Sequence, residues 1–259
     1  MSGERVYHLQ CAPGDVGGYV LLPGDPGRVP LIAERLDGAR QIASHREYAT
    51  WTGELAGVPV SVTSTGIGGP STAIAVEELC TLGAHTLVRV GTCGGMQAGQ
   101  RNGDLVVPQA AVRDEGTSRQ YAPIAWPAVA HLDVVDALRE AAAAASVTAH
   151  IGVVQSKDSF YGEMEPARMP VASELLARWE AWTRLGVLAS EMECATLFTV
   201  AVTRGARAGA VLGIVNATPL HEAMPEPREL PIGPLVRVAV EAVRRLIAAD
   251  RASGRLTSS

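Results

Sequence analysis

The sequence predicts an α/β fold, a single-domain three-layer arrangement with a central mixed β-sheet flanked by helices. Three observations carry this. Short apolar runs of β type alternate with helical patterns along most of the chain, which argues for a largely parallel or mixed sheet. Polar, glycine-rich segments follow directly on several strands, where ligands of such sheets bind. The 259 residues are 47% hydrophobic and 19% charged, enough apolar surface for one large core.

The elements follow in order. Tyr19–Leu22 is an apolar strand that stops at Pro23-Gly24-Asp25-Pro26, and a helical pattern runs from Arg28 to Leu36. Tyr48–Leu55 and Val58–Thr63 form a hairpin around Ala56-Gly57. Pro70–Leu82 reads as a helix: Pro70 suits a first turn, and Ile74, Leu79 and Leu82 fall near one face. Thr86–Val90, Leu105–Val107, Ile151–Gln155 and Ala208–Val215 are further strands. Asp133–Ala145, Glu191–Arg204 and Leu235–Ala249 are helices. Pro219–Pro234 reads as a long loop, Thr218–Glu229 as a flap, and Ala252–Ser259 as a frayed tail. No repeat or low-complexity linker divides the chain, so residues 1–259 are read as one domain.

Net charge is −5, which leaves no basic footprint for nucleic acid. The apolar runs fall far short of the roughly 20 residues of a membrane span. Met1–Gln10 lacks the apolar segment of a signal peptide, and a cytoplasmic location is the expectation. Cys11, Cys80, Cys93 and Cys194 are scattered and show no metal-ligand spacing; they read as reduced thiols. Lys157 is the one lysine in an arginine-rich chain, which reads as compositional bias.

The chemistry-bearing residues gather at strand ends. Gly24 and Arg28 follow the first strand, and Arg89 and Thr92 lie in and just after the strand Thr86–Val90. Glycines let a backbone approach an anion with its N–H groups, and a guanidinium offers two donors that match phosphate. Arg89 interrupts an apolar run, and a buried arginine is costly without a partner. It reads as an anion ligand or as half of an internal ion pair. No Gly-Lys-Ser/Thr of a phosphate-binding loop is present, and no Gly-x-Gly-x-x-Gly opens a helix.

Five motifs together resemble the nucleoside phosphorylases of the hexameric type, with bacterial uridine phosphorylase as the nearest branch. They are Pro23-Gly24-Asp25-Pro26-Gly27-Arg28, Ser44-His45-Arg46-Glu47, Ser64-Thr65-Gly66-Ile67-Gly68-Gly69-Pro70-Ser71, Arg89-Val90-Gly91-Thr92 and Glu191-Met192-Glu193. The resemblance spans Tyr7 to Leu246 and implies a nucleoside phosphorylase-like fold. It implies phosphate as co-substrate, held by Gly24, Arg28, Arg89 and Thr92, with Arg46 supplied across a dimer interface. His8 would reach the sugar in a neighbouring site, and Met192 and Glu193 would bind the ribose. The catalytic set is then Arg89, Glu193 and Thr92. Cys93, Gly94, Phe160, Met164 and Asn216 would line the base pocket, with Tyr161 beside Phe160. Glu47, Ile67 and Ser71 match positions that can hold potassium at the interface. No cofactor is required, and the assembly implied is a hexamer, a trimer of dimers with shared sites.

The resemblance breaks at the base. Where uracil-reading glutamine and arginine residues would stand, the chain has Met164, Pro166 and Ala217. A shift within Gly162–Arg168 would bring Arg168 to the base instead. The expectation is phosphorolysis of a nucleoside, uridine phosphorylase-like, with a purine or unusual-base phosphorylase as the alternative. A water-using nucleosidase has no need of the arginine set, and a non-catalytic nucleoside-binding homologue is the reading of another class.

Overall fold

The computed structural model describes residues 4–217 and 232–256. In chain order these form β1 (Tyr19–Pro23), α1 (Arg28–Ala33), β2 (Asp37–His45), β3 (Tyr48–Leu55), β4 (Val58–Thr63), α2 (Gly69–Thr81), β5 (Thr86–Gly95), β6 (Leu105–Asp114) and β7 (Ala128–Val129). There follow α3 (Leu132–Ala144), β8 (Ala149–Lys157), α4 (Phe160–Met164), α5 (Ala172–Arg184), β9 (Ala189–Glu191), α6 (Cys194–Thr203), β10 (Arg207–Asn216) and α7 (Ile232–Ala252).

All ten strands belong to one mixed sheet, ordered β2-β3-β4-β1-β5-β9-β8-β6-β10, with β7 paired on β6. β10 returns to pair with β5 in parallel. The strands β5, β9, β8, β6 and β10 therefore close a five-stranded barrel, and β1, β4, β3 and β2 extend from it as an open wing. Along β1 the side chains alternate between two cores. Tyr19 and Leu21 pack with α1, α3 and α7, whereas Val20 and Leu22 pack with α2 and α6. A strand covered on both faces is apolar at every position, which is why Tyr19–Leu22 reads as an unbroken run.

The hairpin β3–β4 turns on Ala56 (φ 53°) and Gly57 (φ 70°), both left-handed, as a two-residue loop between twisted strands requires. A second two-residue turn joins β2 to β3 at Arg46 and Glu47, and there only Arg46 (φ 56°) is left-handed. The buried Asp250 of α7 accepts from Tyr19 Oη of β1 at 2.5 Å and from Arg207 Nη1 of β10 at 2.9 Å. It thereby locks the last helix onto the sheet.

Several expectations are corrected. The helix read over Arg28–Leu36 stops at Ala33 and gives way to β2, an edge strand. The helix read from Glu191 begins at Cys194, because Glu191 is the last residue of β9. Strands β5, β6 and β8 each run several residues longer than their apolar cores. Helix α5 went unread; none of its residues is fully buried. The tail expected to fray from Ala252 instead turns back, with Arg255 N–H and Leu256 N–H both donating to the Asp250 carbonyl, at 2.9 and 3.1 Å. Residues 257–259, most of the Pro219–Pro234 loop and the whole Thr218–Glu229 flap lie outside the described residues. Among the described residues no helix is long and apolar enough to cross a membrane.

Candidate active site

A cavity of about 720 Å³ opens where β1, β4, β5, β8, β9 and β10 end, and its wall gathers most of the residues singled out from the sequence. At one end the turns after β1 and β4 are zipped together. Thr65 N–H donates to the Pro23 carbonyl at 2.9 Å and Gly66 N–H to the Gly24 carbonyl at 3.0 Å. A Cβ on Gly24 would stand 3.1 Å from the Gly66 oxygen, so this close approach favours glycine. Asp25 accepts the Gly27 N–H at 2.8 Å and turns the chain into α1, whose first residue, Arg28, lines the cavity. Burial pulls the Arg28 guanidinium below its ordinary value; Asp25 opposes this and the charge of Arg89 adds to it. Two guanidinium groups thus face one space.

Arg89 is buried and takes part in an internal ion pair, one of the two roles left open for it. Its Nη2 donates to Glu193 Oε2, and its Nε lies 3.3 Å from Glu191 Oε2. Burial works against the cation, but Glu193 and Glu191 outweigh it and raise the pKa, so Arg89 stays charged. Nη1 has no hydrogen-bond partner among the described residues, and a Cβ on Gly24 would come to 3.9 Å from it. Gly91 gives the guanidinium its room: a Cβ there would stand 2.8 Å from Arg89 Cζ. Thr92, one residue on, also lines the cavity.

Glu191, Met192 and Glu193 join β9 to α6 and form the next stretch of wall. Glu191 accepts from Glu193 N–H at 2.9 Å and Cys194 N–H at 3.0 Å, and so satisfies the free amides at the start of α6. Glu193 instead points its Oε1 to the Gly68 N–H at 2.6 Å. Gly68 has φ 91°, a conformation open to glycine. Burial foremost raises the pKa of Glu193; Arg89 opposes the shift and Glu191 reinforces it.

Phe160, Met164, Asn216, Cys93 and Gly94 also line the cavity. Burial foremost, then Glu191, pushes the Cys93 thiol far up, so it is a neutral wall group and not a nucleophile. Phe160 opens the short helix α4. Tyr161 is exposed and lies off the cavity wall. Pro166 lines a smaller cavity of about 180 Å³ behind it. Arg168 is exposed and pairs with Glu165, so the alternative that would bring it to the base is corrected. Ala217 N–H donates to Asn102 Oδ1 at 2.8 Å.

The sequence reading missed Lys157, Glu163 and Ser190, which form a polar strip of this same wall. Lys157 Nζ donates to Glu163 Oε1 at 2.8 Å and to Ser190 Oγ at 2.6 Å. The signal available was the solitary lysine placed at a strand end.

Two further expected residues are absent from this chain's own cavity wall. Arg46 is exposed on the β2–β3 turn, and His8 Nδ1 is 2.7 Å from Glu78 Oε1. They belong to one surface, since His45 Nδ1 lies 2.9 Å from the His8 carbonyl. Glu47, Ile67 and Ser71 do converge at the cavity's rim. A Cβ on Gly66 would meet Glu47 Cγ at 2.8 Å and Ser71 Oγ at 3.3 Å, and Ser71 Oγ donates to the Ile67 carbonyl at 3.0 Å. A carboxylate, a carbonyl and a hydroxyl are hard oxygen donors, a set that fits an alkali cation.

Comparison with known proteins identifies the family of the chain. The sequence profile of the Phosphorylase superfamily matches residues 19–248. The chain is 48% identical over 250 residues to a uridine phosphorylase of Treponema pallidum, covering 96% of this chain and 97% of that protein. It is 53% identical over 212 residues to a uridine phosphorylase of Thermococcus kodakarensis, covering 80% and 76%. It is also 37% identical over 247 residues to a guanosine phosphorylase of Halorubrum lacusprofundi, covering 92% and 98%.

Proposed function

The chain belongs to the phosphorylase superfamily and is a nucleoside phosphorylase, a pentosyltransferase, and from that premise we propose how its residues divide the reaction. Phosphate lies over the Gly24 turn between Arg28, Arg89 and Thr92. The ribose hydroxyls donate to Glu193, with Met192 against the sugar face. The C1′–N bond breaks and its electron pair leaves with the base, which then takes up a proton. Positive charge builds on the ring, the phosphate dianion stabilises it, and a phosphate oxygen forms the new bond to C1′. Positioning and electrostatics supply most of the rate.

The observation that carries this reading is Arg89. It holds the carboxylate assigned to the sugar with one nitrogen, while another, buried against the Gly24 turn, is without a partner among the described residues. One side chain therefore couples the two halves of the reaction. The test is release of base and sugar 1-phosphate with and without phosphate. Strict phosphate dependence is expected, with Arg89→Ala lowering kcat/KM by about 10³-fold. Turnover without phosphate overturns the reading.

The resemblance to uridine phosphorylases favours uridine as substrate. Met164 in the wall and the similarity to a guanosine phosphorylase favour a 6-oxopurine nucleoside as the second reading. A panel of uridine, thymidine, inosine and adenosine separates them.

The same reading makes residues 1–259 one catalytic domain, cytoplasmic and serving nucleoside salvage, in a hexamer with shared sites. Charge supports the sharing. Arg28, Arg89 and Lys157 face five carboxylates in the wall, those of Asp25, Glu47, Glu163, Glu191 and Glu193. That balance is poor for a dianion until Arg46 of the partner subunit is added, with His8 of the partner subunit at the sugar. Potassium at Glu47, Ile67 and Ser71 would offset one further carboxylate. Mixing inactive Arg46→Ala with inactive Glu193→Ala protein should restore up to about a quarter of wild-type activity, as random pairing regenerates intact sites. No recovery in mixed oligomers refutes sharing.

A further inference from the structure

We propose that Lys157 and Glu163 read the base: the ammonium donates to a ring carbonyl oxygen, and the carboxylate accepts from the adjacent ring N–H. The inference rests on the phosphorylase reading of the cavity and names the base class that cavity takes. That class carries C=O and N–H side by side in the ring, as uracil, thymine, hypoxanthine and guanine do. Cytosine and adenine present an amino group and an unprotonated nitrogen at the corresponding edge, which reverses the pattern.

Placement is the first argument. Both side chains line the large cavity together with Phe160 and Met164, and the same wall carries Arg28 and Arg89. Nζ and Oε1 are 2.8 Å apart, a donor and an acceptor at the spacing of neighbouring polar atoms on one base edge. Lys157 has three N–H donors; Glu163 and Ser190 take two, and among the described residues the third is uncommitted.

Rigidity is the second. Ser190 Oγ lies 2.8 Å from Gln155 Oε1 and from Glu163 Oε2. Gln155 Nε2 donates to Asp114 Oδ2 at 2.8 Å, and Arg178 Nη1 to Asp114 Oδ1 at 2.7 Å. The chain of bonds runs from α5 to the cavity and holds the pair in one orientation before a ligand arrives, as recognition requires. The carboxyl of Glu163 is raised by burial, with Lys157 opposing.

Composition is the third. Every other basic residue in the chain, histidine aside, is arginine. A pair kept only for charge would follow that bias. A lysine offers a compact three-donor cation beside a carboxylate and a ligand, where a forked guanidinium would fill the space. Stability alone is a weak reason for the pair, since a buried ion pair is often no better than apolar packing.

The test measures phosphate-dependent cleavage of uridine, inosine, cytidine, adenosine and 4-nitrophenyl riboside. The last has a leaving group without the edge in question. Wild-type protein should prefer uridine or inosine to cytidine and adenosine by at least about 10²-fold in kcat/KM. Lys157→Met and the isosteric Glu163→Gln should each lose about 10–100-fold on the preferred nucleoside. That loss should exceed the loss on nitrophenyl riboside by at least about tenfold. Glu163→Gln should also narrow the uridine-to-cytidine ratio, because an amide can donate to an unprotonated ring nitrogen. Equal losses on all substrates, or wild-type cleavage of cytidine as fast as uridine, overturn the proposal. Wild-type release of nitrophenolate without phosphate would instead overturn the phosphorylase reading.

Discussion

At the scale of single residues, the cavity is organised by charges that hold one another. Glu193 is kept in place by Arg89 and by the Gly68 amide, and burial raises its pKa above the ordinary 4.5. Only the ionised form is free to accept from both sugar hydroxyls. With the concentration of phosphate dianion held constant across the profile, the acid limb of kcat/KM should therefore fall at a pH above 4.5, where an unperturbed glutamate would still be charged. In Glu193→Gln that limb should vanish along with most of the activity. A pH profile flat down to the ordinary glutamate range would remove Glu193 from this role. Arg89 and Glu193 were legible in the sequence because an arginine inside an apolar strand and a carboxylate at a helix start are both conspicuous. Their mutual contact was not, since they stand 104 residues apart. Lys157 was visible as the only lysine and was read as bias, because nothing local announces Glu163 and Ser190 as its partners.

At the scale of elements, legibility tracked burial. Buried strands such as β1 and the hairpin β3–β4 carry patterns that no other structure explains. β2 is an edge strand whose residues are exposed or half-buried, so its sequence lacks the apolar signal. The spacing of Leu175, Trp179 and Trp182 at i, i+4 and i+7 was the available sign of α5. The segment between β6 and β7 has little hydrophobic core and depends on one side chain. Arg113 donates to Ser118 Oγ at 2.8 Å and to the carbonyls of Ser118 (2.8 Å), Ala122 (2.7 Å), Pro123 (2.5 Å) and Trp126 (2.7 Å). Arg113→Ala should cost about 2–4 kcal/mol, because buried acceptors lose charged donors. Arg113→Lys should recover little of it, as three donors on one nitrogen cannot span that fan. Denaturant titration of the two variants checks this.

At the scale of the whole molecule, the three layers and the mixed sheet were readable from the order of strands and helices. The closed barrel was not, because the pairing of β10 with β5 leaves no periodic trace. The outer layer depends on Asp250, which joins α7 to β1 and β10. Burial opposes its charge, yet the bonds from Arg207 and Tyr19 prevail and hold its pKa below 3.8. The stabilisation is therefore complete above that ordinary value and is lost as pH falls through the lower folded one. Asp250→Ala should cost about 2–4 kcal/mol at neutral pH, because Arg207 is left with only Asp133, at 3.5 Å, and the Thr86 hydroxyl, and thermal melts of wild type and variant should converge below pH 3.8.

The return of β10 to β5 has one more consequence, for synthesis. The cavity wall draws on Gly24 near the start of the chain and on Asn216 at the end of β10. A ribosome-bound chain that has not yet released β10 has neither a closed barrel nor a finished site. Substrate can then bind only the completed fold, and by mass action it disfavours reopening once the barrel has closed. Newly made protein should therefore resist proteolysis better in a cell rich in its own nucleoside than in one starved of it.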